Sequence, residues 1–425
     1  MEPLKVMLIG AGSRGMYVYA QYAKLNPQMM NIAAVVEPNE SKRKKIQAEH
    51  SIPDNYAFTD YREAFQKLPP VEAVIIATQD KLHAGPLEKA IEANLHIICE
   101  KPIVPTAEEC RAMEKKAASF NKVFMTGYVL QYNPFFIKLK ELVDTGVIGR
   151  LIGINLVGHV GHIDISHGYV RGYWRRMEDS SPMMLAKSCH DMDILYWLSG
   201  SPCESLTSYG DLHFFKAENA PEGAPLRCLD GCPHEADCPW YVGKIYLTEN
   251  TGWPANVITT DLSMEGRIKA LKEVPHGRCV FRCDNDVVDH QIVSMKFKNG
   301  VKATFTMSGF TMKSHRSISL FGTKGEINGD LEEHQICIND FSSRNKNIIN
   351  ISEDTSSHMA HAAGGSGDFN LAAGFVNSIR NRRRGKKTTV TDAFEGHYMA
   401  LAAEASRIDN GRLIKLEDFK NGHSD

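Results

Sequence analysis

The turn GAGSRG, Gly10 to Gly15, constrains the fold more than any other stretch of this chain, because it joins the apolar run PLKVMLI to the amphipathic run RGMYVYAQYAKLN. A G-x-G-x-x-G that ends a strand and opens a helix is the dinucleotide-binding corner of a βαβ unit. Gly10 permits the tight turn, Gly12 lets the backbone approach a pyrophosphate, and Gly15 lets the helix pack close to the strand. Ser13 and Arg14 complete the loop, and the helix N-terminus offers N–H groups and a partial positive charge to phosphates. About twenty residues on, the next apolar run NIAAVVE ends in Glu37, which suits the adenine ribose hydroxyls and repels a 2′-phosphate. The corner is therefore expected to bind NAD in preference to NADP, although Arg14 offers a 2′-phosphate a partner. Glycines that serve packing alone are the competing explanation.

From Leu4 to about Gly127 near-continuous Val/Ile runs alternate with amphipathic stretches, which predicts a doubly wound parallel sheet of α/β type. A chain of 425 residues suits two domains, read as 1–127 and 128–425. The second is expected to be an α+β domain. LIGINLVGHV, a hairpin turning at Asn299-Gly300 and SISLFGTKGEING supply strands, and two amphipathic helices follow near the C-terminus. The Pro-, Gly- and Cys-rich segment 217–283 interrupts the strands as an insertion, and HAAGGSGD is expected to be a flexible loop. With 49 basic against 51 acidic residues there is no global field to attract nucleic acid or anionic lipid. The basic run RNRRRGKK is expected to be a solvated helix end and loop. No stretch approaches the roughly 18 apolar residues of a membrane helix, and no basic-then-apolar leader precedes the first strand, so a cytoplasmic location is expected.

The glycine corner does not define a reaction; ATQDKLHAGPLEKAIEANLHIICEKPI says more. Ala77 to Gln79 end the fourth strand, and Glu100-Lys101-Pro102 end the fifth, at the carboxyl edge where ligands lie in such sheets. Lys101 then points towards the nicotinamide and is placed to exchange the reacting proton with a carbonyl or alcohol. Pro102 fixes the turn and allows a cis bond. A solvated strand end is the competing reading of a lone Lys here.

These stretches, with GYVLQYNPFFIKLKELVDTGVIGRL, CHDMDILYWLSG and LFGTKGEI in the same order, resemble the glucose-fructose oxidoreductase, inositol dehydrogenase and rhizopine-catabolism (Gfo/Idh/MocA) family over almost the whole chain. The resemblance implies a Rossmann domain and a second domain with a large, open, mostly antiparallel sheet used for oligomer contacts in a homodimer or homotetramer. It also implies pyridine-nucleotide oxidation or reduction of a sugar, cyclitol or related alcohol. By position, Lys101 takes the catalytic role beside Glu100, His190 with Asp193 matches the helix motif that aligns substrate and proton transfer, and Thr78, Gln79 and His83 match positions lining the nicotinamide ribose. Two departures stand out. Ala186 occupies the place of the usual Asp four residues before the motif His, with Lys187 beside it, and Gln131 stands where Arg is common after GYVL. Lys187 and His190, at i and i+3, become the local proton-handling pair, Gln131 is placed with the cofactor, and Tyr128 and Asp193 with the substrate.

The expected activity is hydride transfer between NAD and a hydroxyl-bearing carbon of a sugar, glycoside or cyclitol. Two alternatives remain at this level: a redox-assisted glycosidase or lyase that recycles bound NAD, and a non-catalytic nucleotide sensor or scaffold. In HGYVRGYWRR, Arg171 and Trp174 suit sugar hydroxyls and stacking, although a structural loop is as good a reading. Cys228, Cys232, Cys238 and Cys279, with Cys283 nearby, are numerous enough for a structural zinc site, against free or core thiols.

Overall fold

The computed structural model describes residues 2–352, 367–380 and 390–423. Six strands build the first sheet: β1 (Leu4–Ile9), β2 (Met30–Val36), β3 (Ala57–Phe58), β4 (Ala73–Ile76), β5 (His96–Cys99) and β6 (Phe124–Thr126). They lie in the order β3-β2-β1-β4-β5-β6 and every pairing is parallel. Because helices cover both faces, Val6, Met7, Leu8 and Ile9 of β1 are all buried, which is why this strand reads as a continuous apolar run. The strand order reverses between β1 and β4, and the crevice at that switch point faces the chain ends of both strands.

The second sheet has nine strands. β7 (Leu151–Gly161), β8 (Cys203–Asp211), β9 (His290–Phe297), β10 (Lys302–Thr311) and β11 (His315–Gly322) form its body. β12 (Gly325–Asp330), β13 (Gln335–Asp340) and β14 (Lys346–Asn350) extend one side and β15 (Ile414–Lys415) closes the other, in the order β14-β13-β12-β11-β7-β10-β9-β8-β15. Only β7 and β10 run parallel, so the sheet is mixed but mostly antiparallel. The alternation in β9, with Gln291, Val293 and Met295 buried and Ile292 half exposed, leaves one face outward. The hairpin between β9 and β10 turns where expected, but only Gly300 takes a positive φ, +91°. Asn299 instead accepts the Val301 N–H on its side-chain carbonyl and donates to Ser199 O.

The helices Cys189–Ser199 and Val390–Ile408 pack on each other beneath this sheet, and the helix Gly367–Arg380 returns to the first one, where Leu371, Phe375 and Val376 join the core of Leu4, Val6 and Ile32. Most of HAAGGSGD and most of RNRRRGKK lie outside the described residues. Among those described, no helix is long and apolar enough to cross a membrane.

The insertion has a small core of its own, with Val242, Tyr246 and Leu271 buried. Its two cysteine-bearing segments meet at a bridge between Arg227 and Arg278. Two expectations are corrected here. Arg171 does not face a substrate: its guanidinium is fully buried, donating from Nε to Arg278 O at 2.7 Å and from Nη2 to Trp240 O at 2.8 Å. The zinc site is also not formed, since no group of three or more His, Cys, Asp or Glu among the described residues could hold a metal ion. Cys228, Cys232, Cys238 and Cys279 do line one recess, but the Arg171 cation shares it, with Nη2 3.8 Å from Cys228 Sγ. Burial raises the thiols of Cys238 and Cys279, which keeps them protonated. Arg171→Met should therefore behave as a stability mutant. Two buried carbonyls lose their donors, a cost of roughly 2–4 kcal/mol, read as a lower thermal midpoint with KM for any substrate unchanged in the surviving fold.

Candidate active site

The glycine corner is built as its spacing requires. Gly10 sits at φ +92°, and a Cβ there would lie 2.6 Å from Ala77 O. A Cβ on Gly15 would lie 2.0 Å from Gly10 O, so the wide helical turn Gly15–Ala20 can approach β1 only without one. Gly12 differs, because a Cβ there would meet nothing within 4 Å. The protein itself does not need that glycine, and the open space above it is what a close-lying pyrophosphate would fill. Glu37, buried at the end of β2, accepts from Ala11 N at 2.7 Å and Asn39 N at 2.9 Å, which fixes its carboxylate against the loop. At the end of β4, Thr78 Oγ1 is buried without a hydrogen-bond partner, a further sign of a polar ligand at this edge, and Gln79 is exposed beside it. Residues and space thus fit a dinucleotide.

Several side chains are committed differently from the sequence-based expectation. Arg14 donates from Nε to Glu100 Oε1 at 2.8 Å and from Nη1 to Asp368 Oδ1 at 2.7 Å, so it is turned away from any 2′-phosphate, with Nη2 buried and unpartnered. Glu100 faces inward rather than into the crevice, and Tyr19 Oη also donates to it at 2.7 Å. Burial alone would raise its carboxyl, but the Arg14 charge and the bonds from Tyr19 and Arg14 hold it below the usual range. Gly127 provides the room, since a Cβ there would lie 2.6 Å from Glu100 Oε2. His83 is buried with its ring nitrogens 2.7 Å from Pro102 O and 3.1 Å from Thr78 O. It ties the two strand-end loops together instead of offering a ring to a ribose.

Lys101 projects from the end of β5, where the Lys101–Pro102 peptide is cis as the sequence allowed. Its Nζ donates to Ala186 O at 2.6 Å, at the C-terminus of the short helix Met183–Ala186. Lys187 and His190 do not share one continuous helix: Lys187 ends that short helix, and His190 belongs to the first turn of Cys189–Ser199. They nonetheless share two neighbouring charges, Lys101 and Arg316. Burial, then Lys101, Arg316, Arg14 and Lys187, depress His190 far below the ordinary histidine range, so its imidazole is neutral, and Nδ1 has no partner. Burial, then Arg316, bring Lys187 down to about 8.

Tyr128 packs edge-on against His190 with ring centroids 5.9 Å apart, but its hydroxyl is bonded to His397 Nδ1. His397 Nε2 accepts from Ile103 N at 2.6 Å, so Tyr128 supports the site from below and is not free to bind substrate by its hydroxyl. Trp174 stays at the crevice, donating from Nε1 to Asp80 Oδ2 at 3.3 Å beside the end of β4. Gln131 and Asp193 pair with each other: the Gln131 amide lies 2.9 Å from both carboxylate oxygens. Neither is therefore a cofactor or substrate contact through those atoms.

Without a cation beside it, burial raises Asp193 to about 8 despite the Gln131 bonds. The native state then holds a proton that an unfolded Asp, with a value of about 4, has released, so this residue costs increasing stability as pH rises from about 4 to about 8. Asp193→Asn, neutral throughout, should melt progressively above wild type as pH is raised across that window. A gap between the two that stays constant with pH would show Asp193 to be ionised in the folded protein.

Fold and crevice together define a dinucleotide-binding architecture, with a glycine corner on a parallel sheet beside a second, mixed sheet. Residues 4–128 match the model of an oxidoreductase family with an NAD-binding Rossmann fold, and residues 140–398 match that family's C-terminal alpha/beta domain. The chain belongs to this family, Gfo/Idh/MocA. It is 26% identical over 276 residues to YteT of Bacillus subtilis (strain 168), a match covering 62% of either chain. It is 28% identical over 203 residues to the inositol 2-dehydrogenase of Corynebacterium glutamicum (strain R), covering 47% of this chain and 55% of that one. These matches span less than two thirds of each relative. Levoglucosan dehydrogenase, solved with NADH and levoglucosan, shares the fold with a TM-score of 0.71 and 17% identity over 98% of this chain and 100% of that one.

Proposed function

We propose that this protein is an NAD-dependent dehydrogenase that oxidises a hydroxyl-bearing carbon of a sugar or cyclitol. The observation that carries this reading is the convergence of Lys101 Nζ, bonded to Ala186 O at 2.6 Å, and neutral His190, with an unpartnered Nδ1, on the crevice fed by the glycine corner. Gly10 to Gly15, Glu37 and Thr78 would hold NAD, which would supply the hydride acceptor. Glu37 favours it over NADP, now that Arg14 is engaged elsewhere.

Lys101 exchanges its carbonyl partner for the substrate hydroxyl, orients it and stabilises the oxygen as negative charge develops. His190, uncharged and therefore able to accept, takes the hydroxyl proton. Ala186 leaves no carboxylate at the usual relay position, so the proton need not pass through an Asp. Trp174, at the rim, offers a ring face to the sugar. The outward face of the nine-stranded sheet, with Ile152, Tyr209, Ile292 and Phe321 exposed, suits a second copy of the chain.

The test follows NADH absorbance and glycoside cleavage together across monosaccharides, glycosides and inositols. A dehydrogenase forms NADH in step with product. Cleavage without net NADH would instead favour redox-assisted elimination, and NAD binding with no reaction in either assay would favour a sensor.

A further inference from the structure

The crevice holds more positive charge than hydride transfer requires. Arg316, at the start of β11, forks onto Asp191 from Nε at 2.9 Å and from Nη2 at 3.3 Å, and Asp191 lies in the first turn of the helix that carries His190. Lys101 is bonded to the carbonyl of Ala186, one residue before Lys187. The groups facing Lys187 are the cations Arg316 and Lys101 and the carboxylates Asp164 and Asp191. Asp191 is already matched by Arg316, and Asp164 stands in the turn His162–Asp164. Among the described residues the Lys187 ammonium makes no hydrogen bond and no ion pair, although the residue is half-buried. Its Nζ is not among the buried unpartnered atoms, so the charge reaches solvent and is open to an incoming anion. Burial first, and then the Arg316 charge, lower the basicity of Lys187, against the opposing pull of Asp164 and Asp191.

We propose that Lys187, backed by Arg316, receives a carboxylate carried by the substrate, so that the preferred substrate is a sugar acid and not the corresponding neutral sugar. The inference rests on the dehydrogenase reading above and adds a substrate class to the same site. A singly charged group fits better than a phosphate. Arg316, Lys101 and Lys187 against Asp164 and Asp191 leave one net positive charge for a ligand; a phosphate would bring close to two negative ones.

The test uses the full chain with NAD and compares glucose with glucuronate, galactose with galacturonate, and glucose 6-phosphate as a further anion. Rates are read as NADH formation, and binding of each compound to the NADH-loaded enzyme is read by calorimetry. A uronate should exceed its neutral parent about tenfold or more in kcat/KM, as one charge-assisted contact allows. The advantage should shrink as salt is raised from about 0.05 M to about 0.5 M. Lys187→Met should cut the uronate-to-neutral ratio by about tenfold or more, and Lys187→Arg should restore most of it. Equal use of neutral and acidic sugars, or a ratio unchanged in Lys187→Met, overturns the proposal while leaving the dehydrogenase reading intact. Preference for the phosphate overturns the carboxylate assignment. If NAD binds and no compound yields NADH, the dehydrogenase reading fails, and the calorimetric comparison still decides whether the site selects an acid.

Discussion

Lys101→Met should lower kcat for substrate oxidation by about 10²- to 10³-fold, the cost of losing one preorganised donor to a developing oxyanion. The dissociation constant for NAD should change little. The lysine ends β5 on the far side of the switch point from the phosphate corner, and its side chain bonds Ala186 O at 2.6 Å, a carbonyl that water can satisfy. The variant should therefore fold with a thermal midpoint near that of wild type. Pre-steady-state absorbance would place the loss in the hydride step itself. A fall of less than about tenfold would mean that Lys101 neither orients the hydroxyl nor stabilises its oxygen, and would reduce it to a strand-end residue.

Gly12→Val should weaken NAD binding by about 100-fold or more, roughly 3 kcal/mol, with the ligand-free fold left intact. The three glycines of the corner separate cleanly in this respect. A side chain at Gly15 meets Gly10 O at 2.0 Å and one at Gly10 meets Ala77 O at 2.6 Å, so substitution there disrupts the protein first. Gly12 meets no protein atom within 4 Å, and a branched side chain enters only the space assigned to the pyrophosphate. Calorimetry with NAD, beside a thermal melt without it, distinguishes the two effects. Retained NAD affinity would mean that the dinucleotide does not lie along this loop.

The parts of this site that lie close together in the chain were legible before the structure. The glycine corner, Glu37, the strand-end Lys101 and the hairpin at Gly300 each rest on a turn or a strand edge whose residues are neighbours in sequence, so periodicity and spacing were enough. What the sequence concealed is contact between distant segments. Arg14 meets Asp368 across 354 positions, Tyr128 meets His397 across 269 and Arg316 meets Asp191 across 125. No local pattern encodes those pairings, which depend on the register of nine strands and on the return of the C-terminal helices. Arg171 and Tyr128 misled for a related reason: their residue types suit sugar binding, but type does not say which way a side chain points. The cysteines show the same limit, since their number allowed a metal site that the intruding Arg171 guanidinium opposes. Gln131 is a departure visible in the sequence, yet only the structure sets its neutral amide 2.9 Å from Asp193, where no cation offsets the burial that raises that carboxyl.

The most direct measurement follows a deuterium label from carbon to cofactor. Purified enzyme is given NAD and sugars or sugar acids deuterated at the ring carbons, and the nicotinamide is analysed by mass spectrometry. Deuterium on the nicotinamide ring with wild type, and its near absence with Lys101→Met at equal NAD occupancy, is the expected result. Transfer that continues undiminished in Lys101→Met, or NAD that binds tightly and never acquires deuterium from any substrate tested, would contradict a redox site built from the glycine corner and the β5 lysine.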